Sequence, residues 1–228
     1  MSDNTTPHQS SAYDEQVRRT IPFYETFHDE TISMVRAIRS ETNNWLDTGC
    51  GTGTFIVKAI HFFPDTKFYL ADPSPEMCSR ASAKLSLVPA SRVSVLPPCP
   101  SEHLRSVLPE CVDVISAIQS HHYLSAEERA RATRSCYDSL SSDGVYLTFE
   151  NIRPRSERGI DVAKERWKAF QLSQGKTDAV VAAHLDRFNS EYFPITLDEH
   201  ISLLKKTGFR TIELFWYSVM QAGLYAIK

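Results

Sequence analysis

The sequence predicts an α/β fold in which a mostly parallel sheet is covered by helices on both faces. Three observations predict it. Short apolar strands alternate with helical segments, a glycine-rich turn joins the first strand to the helix after it, and two further strands end the chain. Parallel neighbours need a crossover connection, and a helix supplies it. At 228 residues the chain suits one such domain, which we place at 13–228.

Each element has its own signal. The predicted strands are, in order, 45–47, 68–71, 92–96, 112–117, 145–149, 210–217 and 223–227, the last two forming an antiparallel edge. A polar tail is predicted over 1–12, and cap helices over 13–40 break near Pro22. Helices are predicted over 55–63, from Ser74 as N-cap, over 125–140 and over 196–207. The last two begin with capping boxes, and Gly208 ends the last one.

One segment, residues 151–195, interrupts the alternation of strands and helices. It is rich in charged and aromatic side chains and leaves the sheet at the carboxyl end of the fifth strand. Open α/β sheets bind ligands at that edge, and long insertions there commonly carry binding elements. We therefore predict a helical lid over a ligand, as against a hairpin that only packs on the sheet.

The turn after the first strand, Asp47-Thr48-Gly49-Cys50-Gly51-Thr52-Gly53, predicts a cofactor site. Glycines let the backbone turn tightly and bring amides close to a ligand at a helix start. Asp72 ends the second strand, where a carboxylate can accept hydrogen bonds from two ribose hydroxyls. The third glycine comes one position too early for a dinucleotide fingerprint. Asp47 would repel a pyrophosphate but can bind an ammonium group, so the pattern favours S-adenosylmethionine.

Composition excludes several classes of partner. A net charge of −3 and a pI near 6.2 give no global attraction to nucleic acid or to anionic membranes. No apolar run is long enough for a membrane span, and no signal peptide is seen, so we expect a cytoplasmic protein, monomeric or homodimeric. The five cysteines include no C-x-x-C pair and fit a reducing compartment, and no histidine or cysteine spacing predicts a metal.

Four successive motifs resemble those of class I S-adenosylmethionine-dependent methyltransferases over residues 13–228. They are the Asp47–Gly53 turn, Asp72-Pro73-Ser74-Pro75-Glu76-Met77, Val112-Asp113-Val114-Ile115-Ser116 and Asp143-Gly144-Val145-Tyr146-Leu147. The resemblance implies a Rossmann-like sheet of seven strands whose last strand is antiparallel. It also implies that the loop formed by Gly49, Cys50, Gly51 and Gly53 passes under the methionine part, that Asp72 binds the ribose, and that Pro73 and Met77 flank the adenine. The family's usual aspartate near Cys99 is missing, so Ser101 or Glu102 would replace it.

Within that family, the N-terminal segment and the aromatic insertion resemble carboxy-S-adenosylmethionine synthases and related small-molecule methyltransferases. That enzyme uses an arginine of the inserted helices to bind the extra carboxylate. Leu185 takes its place here, and Arg187, two residues on, would point about 200° away on a helix. Ordinary S-adenosylmethionine is therefore the preferred cofactor.

Several residues are candidates for catalysis or for further cofactor contacts. A general base is needed only when the nucleophile arrives protonated, and His122 and Glu150 follow the fourth and fifth strands at the ligand edge. Neighbours in an extended segment point opposite ways, so only one of His121 and His122 can face the site, and we choose His122. Tyr24 would face the cofactor. Gln119 would lie near the transferred methyl, and Arg18 or Arg19 would bind the cofactor's carboxylate.

We therefore predict a methyltransferase that acts on a small molecule held under the aromatic insertion. The alternatives are a carboxy-S-adenosylmethionine synthase-like or tRNA-modification-related enzyme, a non-catalytic S-adenosylmethionine-binding protein, and a dinucleotide oxidoreductase. Nucleic-acid binding is disfavoured, because the basic surplus between Arg153 and Lys168 is small.

Overall fold

A computed structural model describes residues 6, 8–39 and 41–228 and shows a seven-stranded sheet with helices on both sides. The strand order is β3-β2-β1-β4-β5-β7-β6. The first five strands pair in parallel, whereas β7 is antiparallel to both β5 and β6. The predicted α/β class and the antiparallel last strand are confirmed.

The elements follow the predicted order. The strands are β1 (Asn44–Thr48), β2 (Lys67–Ala71), β3 (Val93–Val95), β4 (Val112–Ile118), β5 (Leu140–Asn151), β6 (Thr211–Ser218) and β7 (Gln221–Ile227). The α-helices are α1 (Tyr13–Thr20), α2 (Tyr24–Ile38), α3 (Thr54–Ala59), α4 (Pro75–Lys84), α5 (Ala126–Ser139), α6 (Glu157–Ser173), α7 (Asp178–Leu185) and α8 (Leu197–Thr207). Both predicted capping boxes form, at Ser125 and at Thr196.

The core consists of two apolar layers, one on each face of the sheet. Trp45 belongs to the layer that contains helices α2 and α3, and its neighbour Leu46 belongs to the layer that contains α8. Successive side chains of a strand point to opposite faces, so the two residues anchor opposite layers. Both are fully buried. The sheet is thus covered on both sides, and ligands can reach it at its edges and strand ends.

Two predicted boundaries differ from the structure by more than two residues. β5 begins at Leu140, before the predicted start at 145, and pairs there with Val112. The register then shifts between Val112 and Val114, and Asp143 adopts a left-handed φ of 58°. An Asp-Gly pair usually signals a turn, but here it lies in an irregular part of the strand. Helix α3 also ends at Ala59, earlier than predicted.

The predicted flexible tail, 1–12, is ordered in its last part. Residues 10–12 form a short 3-10 helix in which Ser10 is buried, and Arg80 Nε donates to Ser10 Oγ at 2.9 Å. This contact ties the chain start to helix α4. The part of the prediction that covers residues 1–5 and 7 lies outside the described residues.

The predicted insertion at 151–195 contains two helices, α6 and α7, with a small apolar core of its own. Trp167 of α6 is buried, and its indole N–H donates to the carbonyl of Thr20 at 2.6 Å. The insertion is thereby joined to the N-terminal helices. In the described part of the chain, no helix is long and apolar enough to cross a membrane.

Candidate active site

A cavity of about 590 Å³ lies at the carboxyl ends of β1, β2 and β4. We call it the large cavity. Its walls come from the glycine turn, the start of α4 and the loop after β4, and they include Tyr13, Gly49, Gly51, Asp72, Pro73, Ser74, Met77, Ser101, Gln119, Ser120, His121, Tyr123 and Leu124. Open α/β sheets bind ligands at this edge, and the volume is that of a pocket for a nucleoside-sized molecule.

The glycine turn forms one wall of the large cavity through its main chain. Gly49 and Gly51 have φ values of 68° and 53°, which side chains rarely adopt. A Cβ on Gly49 would lie 2.3 Å from Ser120 Cβ, so glycine is required where the two loops meet. Gly53, predicted to bind the cofactor, does not line the large cavity. A Cβ added to Gly53 would meet Ala81, Leu70 and Leu85. The absence of a side chain at Gly53 lets the start of α3 lie close to α4 and β2.

Asp72 combines burial with two remaining hydrogen-bond acceptors. The residue is 8% exposed; Oδ2 accepts from the Gly51 N–H and Oδ1 from the Ser74 N–H, each at 2.9 Å. Burial raises the pKa of the carboxyl, and the two amide donors oppose that rise. A carboxylate oxygen has two lone pairs, so each oxygen can accept one more bond. Asp72 is therefore arranged for two neighbouring hydroxyl groups.

Asp47 lies behind the glycine turn, beside a cavity of about 20 Å³ that we call the loop cavity. Tyr24, Cys50, Gly49 and Gly51 also line it. Burial raises the pKa of Asp47 to about 7; the Ser116 hydroxyl, which donates to Oδ1 at 2.6 Å, opposes the rise, and the charge of Asp72 adds to it. A ligand's ammonium group near Asp47 would favour the ionised form.

The wall predicted to meet an adenine ring is present in part. Pro73, Met77 and Ser101 line the large cavity, and Ser101 Oγ lies 2.8 Å from Thr48 Oγ1. Glu102 is not among the lining residues, because its carboxylate accepts from Arg131 Nε at 2.8 Å. Of the two candidates for the missing aspartate, the structure therefore brings Ser101 to the cavity.

A third cavity, of about 20 Å³, adjoins the large cavity beneath the insertion. We call it the inner cavity. Tyr13, Gln119 and Tyr123 line both cavities, so they mark the junction between them. The remaining walls include Thr20, Asn151, Trp167, His184, Arg187 and Tyr192. Two aromatic residues of the insertion, Trp167 and Tyr192, thus lie at this site.

His122 and Glu150 form a buried pair that lines neither the large cavity nor the inner cavity. Each residue is 1% exposed, and the His122 Nδ1–H donates to Glu150 Oε2 at 2.6 Å. The carboxylate also accepts the main-chain N–H groups of His121 and His122 and the Thr148 hydroxyl. Burial would raise the pKa of Glu150, but the His122 hydrogen bond and the nearby histidines lower it to about 2.

The structure brings His121, and not the predicted His122, to the large cavity. Residues 121–123 form a 3-10 turn and not an extended strand, so the alternation argument does not apply. His121 lines the large cavity, and burial lowers its pKa to about 4. His122 and Glu150 instead hold the loop that carries His121, together with Arg129, which donates to the carbonyls of His121 and Leu124.

The N-terminal helix α1 is fastened over the glycine turn by Asp14. Its Oδ1 accepts from the hydroxyls of Thr52 and Thr54 at 2.6 and 2.8 Å, and Lys84 Nζ donates to Oδ2 at 2.6 Å. Tyr13 is thereby placed against all three cavities. Arg18, predicted to bind the cofactor, lines none of them; its guanidinium donates to Glu25 and to the Asp14 carbonyl.

Arg187 lines the inner cavity, although the predicted helix would have turned its side chain away from the ligand. Helix α7 ends at Leu185, so residues 185 and 187 do not share a helix, and Arg187 lines the inner cavity. Its Nε donates to Glu191 Oε2 at 2.5 Å, which offsets part of its charge. The premise that excluded Arg187 was therefore wrong.

Sequence reasoning did not assign a site role to Tyr13, Tyr123, Ser120 or Asn151. Tyr13 stands in the N-terminal segment that carried the resemblance, which was a usable signal. Tyr123 and Asn151 follow the predicted strands β4 and β5 at the ligand edge, a weaker signal. Among the described residues, no group of three or more histidine, cysteine or acidic side chains could hold a metal ion.

Comparison with known proteins adds three findings. A family model described as a methyltransferase domain matches residues 46–146. The carboxy-S-adenosyl-L-methionine synthase of Nautilia profundicola is 22% identical over 205 residues, 90% of this chain and 86% of that protein. The protein of the same name from Staphylococcus epidermidis is 18% identical over 219 residues, 96% of this chain and 93% of that one.

Solved structures share the fold at low identity. An O-methyltransferase family protein from Burkholderia thailandensis superposes with a TM-score of 0.61 at 12% identity, over 95% of this chain and 63% of that one. Human N-acetylserotonin methyltransferase in complex with S-adenosylmethionine gives a TM-score of 0.59 at 16% identity, over 96% and 58%. This chain therefore spans less than two thirds of the length of these neighbours.

Proposed function

We propose that this chain, which carries a class I S-adenosylmethionine-dependent methyltransferase domain, transfers the methyl group of S-adenosylmethionine to a small molecule. The observation that carries the proposal is the large cavity, which is lined by Gly49, by Gly51 and by Asp72, whose two carboxylate oxygens each keep one acceptor position. An adenosyl group fits this arrangement, with its ribose hydroxyls on Asp72 and its adenine between Pro73 and Met77.

The reaction needs positioning more than it needs proton transfer. The acceptor's lone pair forms a bond to the methyl carbon, and the carbon–sulfur bond breaks with its electron pair left on sulfur, which becomes a neutral thioether. Effective concentration and in-line orientation supply much of the rate enhancement for such a step. The inner cavity, beside the junction of Tyr13, Gln119 and Tyr123, is the place for the acceptor's reacting atom.

The protein would bind the two ends of the cofactor with acids. Asp72 would hold the ribose, and Asp47 would face the ammonium of the methionine part through the glycine turn. Tyr24 shares the loop cavity with Asp47 and would contact the same end. If the acceptor arrives protonated, His121 is a candidate base only for an acceptor that extends into the large cavity, because His121 lines that cavity and not the inner one, whereas His122 lines neither.

The proposal is tested by binding and by turnover. Isothermal titration calorimetry should show saturable binding of S-adenosylmethionine and of S-adenosylhomocysteine, and no binding of NAD. A panel of hydroxyl, amine, thiol and carboxylic acid compounds with a methyl-labelled cofactor should then yield a labelled product. Tight cofactor binding without label transfer to any class of acceptor would favour a sensor or regulator instead.

A second candidate function is formation of a carboxylated cofactor, as the name of the Nautilia profundicola relative describes for that protein. The observation that favours it is Arg187, whose place beside the inner cavity suits a carboxylate next to the sulfonium. Mass spectrometry of the ligand that copurifies with the chain separates the two functions. A ligand heavier than S-adenosylmethionine by one carboxyl group would select the second.

A cytoplasmic location and a monomeric or homodimeric state stay predictions.

A further inference from the structure

We propose that the acceptor is a carboxylic acid whose carboxylate enters the inner cavity, accepts a hydrogen bond from His184 Nε2–H and is methylated on oxygen. The inference rests on the proposed function, because S-adenosylmethionine must supply the methyl group. It adds the chemical class of the acceptor and a binding residue, His184, that no sequence motif indicated.

The hydrogen bonds behind the inner cavity determine which ring nitrogen of His184 carries the proton. Lys176 Nζ, which can only donate, donates to Gln171 Oε1 at 3.3 Å, so the amide nitrogen of Gln171 points the other way. That nitrogen, Nε2, lies 3.1 Å from His184 Nδ1 and donates to it. Because Nδ1 is an acceptor in this network, we assign the proton of the neutral ring to Nε2.

The Nε2–H group of His184 has no acceptor in the part of the chain that the structure describes. His184 lines the inner cavity, and its ring makes its hydrogen bond through Nδ1. Unpaired ring nitrogens that are sealed from solvent belong, among the described residues, to His28, His121 and His200. Nε2 of His184 is unpaired but not sealed, so a small ligand can reach it.

The surroundings of His184 are positively charged. Burial and the charges of Lys176 and Arg187 lower the pKa of His184 to about 3, and the same causes lower the pKa of His8, a second histidine of the inner cavity, to about 4. Glu191 pairs with Arg187, whereas Lys176 forms no ion pair with any carboxylate that the structure describes. An anion in the inner cavity would therefore be stabilised by charges that the protein leaves partly uncompensated.

The inner cavity offers no effective general base to an acceptor that arrives protonated. None of the described residues that line it is acidic. His184 already carries a hydrogen on Nε2 and uses Nδ1 as an acceptor, and His8, with a pKa of about 4, is a weak base. Alcohols, phenols and ammonium groups need a base, whereas a carboxylic acid, with a pKa of about 4, is already ionised at neutral pH. The cavity therefore suits a carboxylate.

Methyl transfer to a carboxylate balances without a proton. A lone pair of one carboxylate oxygen forms the bond to the methyl carbon, and the carbon–sulfur bond breaks with its electron pair left on sulfur. The anion and the sulfonium become a neutral methyl ester and a neutral thioether. The inner cavity has a volume of about 20 Å³ and holds about one water-sized group, so it takes the carboxylate end and not a whole acceptor. His184 would hold one oxygen and leave the other for the methyl group.

The first test uses formate, the smallest carboxylate, and formamide, a neutral molecule of similar size. Each is titrated into the protein saturated with S-adenosylhomocysteine, and NMR follows the imidazole N–H signal of His184 and the main-chain amide signals of the insertion. We expect the proton on Nε2 before the titration and a saturable shift of its signal with formate. Formamide should bind about tenfold more weakly or worse, because it lacks the charge.

Three variants separate the donor, the nearby charge and the fold. His184→Phe keeps a ring against Trp167 but removes the donor, so formate should bind about tenfold more weakly or worse. Lys176→Met removes the nearby charge and should weaken formate binding about threefold or more. Lys168→Met is the matched control, because it removes a charge of the same insertion that lies beside Asp178, and it should bind formate as the wild-type protein does. Thermal unfolding of each variant checks the fold.

The second test identifies the methylated atom. A methyl-labelled cofactor is offered with carboxylic acids and with alcohols and amines of the same carbon skeletons. Methyl esters release labelled methanol in alkali, whereas methyl ethers and methylamines do not. Label that alkali releases as methanol supports the inference, and a labelled product that is stable to alkali overturns it.

The formate titration tests the inference even where the panel yields no product. Absence of saturable formate binding while S-adenosylhomocysteine is bound, or equal formate affinity in the wild-type protein and His184→Phe, would overturn the inference and leave the proposed function intact. If S-adenosylhomocysteine itself does not bind, the proposed function fails.

Discussion

Removing the Asp72 carboxylate tests the cofactor site at the residue on which its geometry depends most. In the structure each oxygen of Asp72 accepts one main-chain N–H at 2.9 Å and keeps one acceptor position. Two ribose hydroxyls would fill these positions. At about 0.5–1.5 kcal/mol for each hydrogen bond, Asp72→Ala should weaken binding by about 1–3 kcal/mol, or about 5- to 150-fold in Kd.

The assay is isothermal titration calorimetry with S-adenosylmethionine and S-adenosylhomocysteine. Asp65→Ala is the matched control, because it removes the same charge at an exposed turn away from the cavities. Thermal unfolding of both variants shows whether the fold is kept, since Asp72 also fixes the N–H groups of Gly51 and Ser74.

A cofactor analogue that lacks the 2′-hydroxyl completes the comparison. If that hydroxyl contacts Asp72, its removal should weaken binding to the wild-type protein and should weaken binding to Asp72→Ala much less. The reason is that the hydroxyl and the carboxylate act on binding through each other. Unchanged cofactor affinity in Asp72→Ala, or an equal cost of the missing hydroxyl in both proteins, would refute the ribose assignment.

Three further predictions follow from the same site. Asp47, with a pKa raised to about 7, is largely neutral below pH 7 in the empty site, and an ammonium ligand requires its ionised form. The Kd measured by calorimetry should therefore rise by up to about tenfold per pH unit as the pH falls below 7, and it should level off above pH 7. A Kd that does not change with pH in either the wild-type protein or Asp47→Asn would contradict the contact. Gly49→Ala should abolish most cofactor binding, because its Cβ would collide with Ser120, whereas Gly175→Ala, also at positive φ but 3.4 Å from a flexible arginine end, should keep it. Equal binding by the two variants in the same titration would count against the close approach. Glu150→Gln should lower the free energy of unfolding in urea by about 1–3 kcal/mol, because the new amide hydrogens face the donors of the loop after β4. Full stability with loss of turnover alone would mean that Glu150 acts as a base.

The parts of this protein that could be predicted from sequence are those with local causes. The succession of strands and helices along the chain and the capping boxes at Ser125 and Thr196 depend on short patterns, and both are found. Gly49, Gly51 and Asp72 could be assigned to one site because parallel strands place their carboxyl ends at one edge.

The errors arose where a side chain's direction depends on where an element ends. Arg187 lies beyond the end of α7, and residues 121–123 turn instead of extending, so arguments from helix and strand periodicity failed for both. Arg18 and Glu102 were predicted to reach the cofactor, but Glu25 and Arg131 bind their side chains outside the cavity. Sequence spacing does not report such competition between surface charges.

The most direct measurement of the central claim is a crystal structure of the chain grown with S-adenosylhomocysteine. We expect adenosyl density in the large cavity, with both ribose hydroxyls within hydrogen-bond distance of Asp72 and the sulfur near the junction at Gln119. A ligand bound elsewhere, or a large cavity left unfilled while calorimetry shows binding, would contradict it.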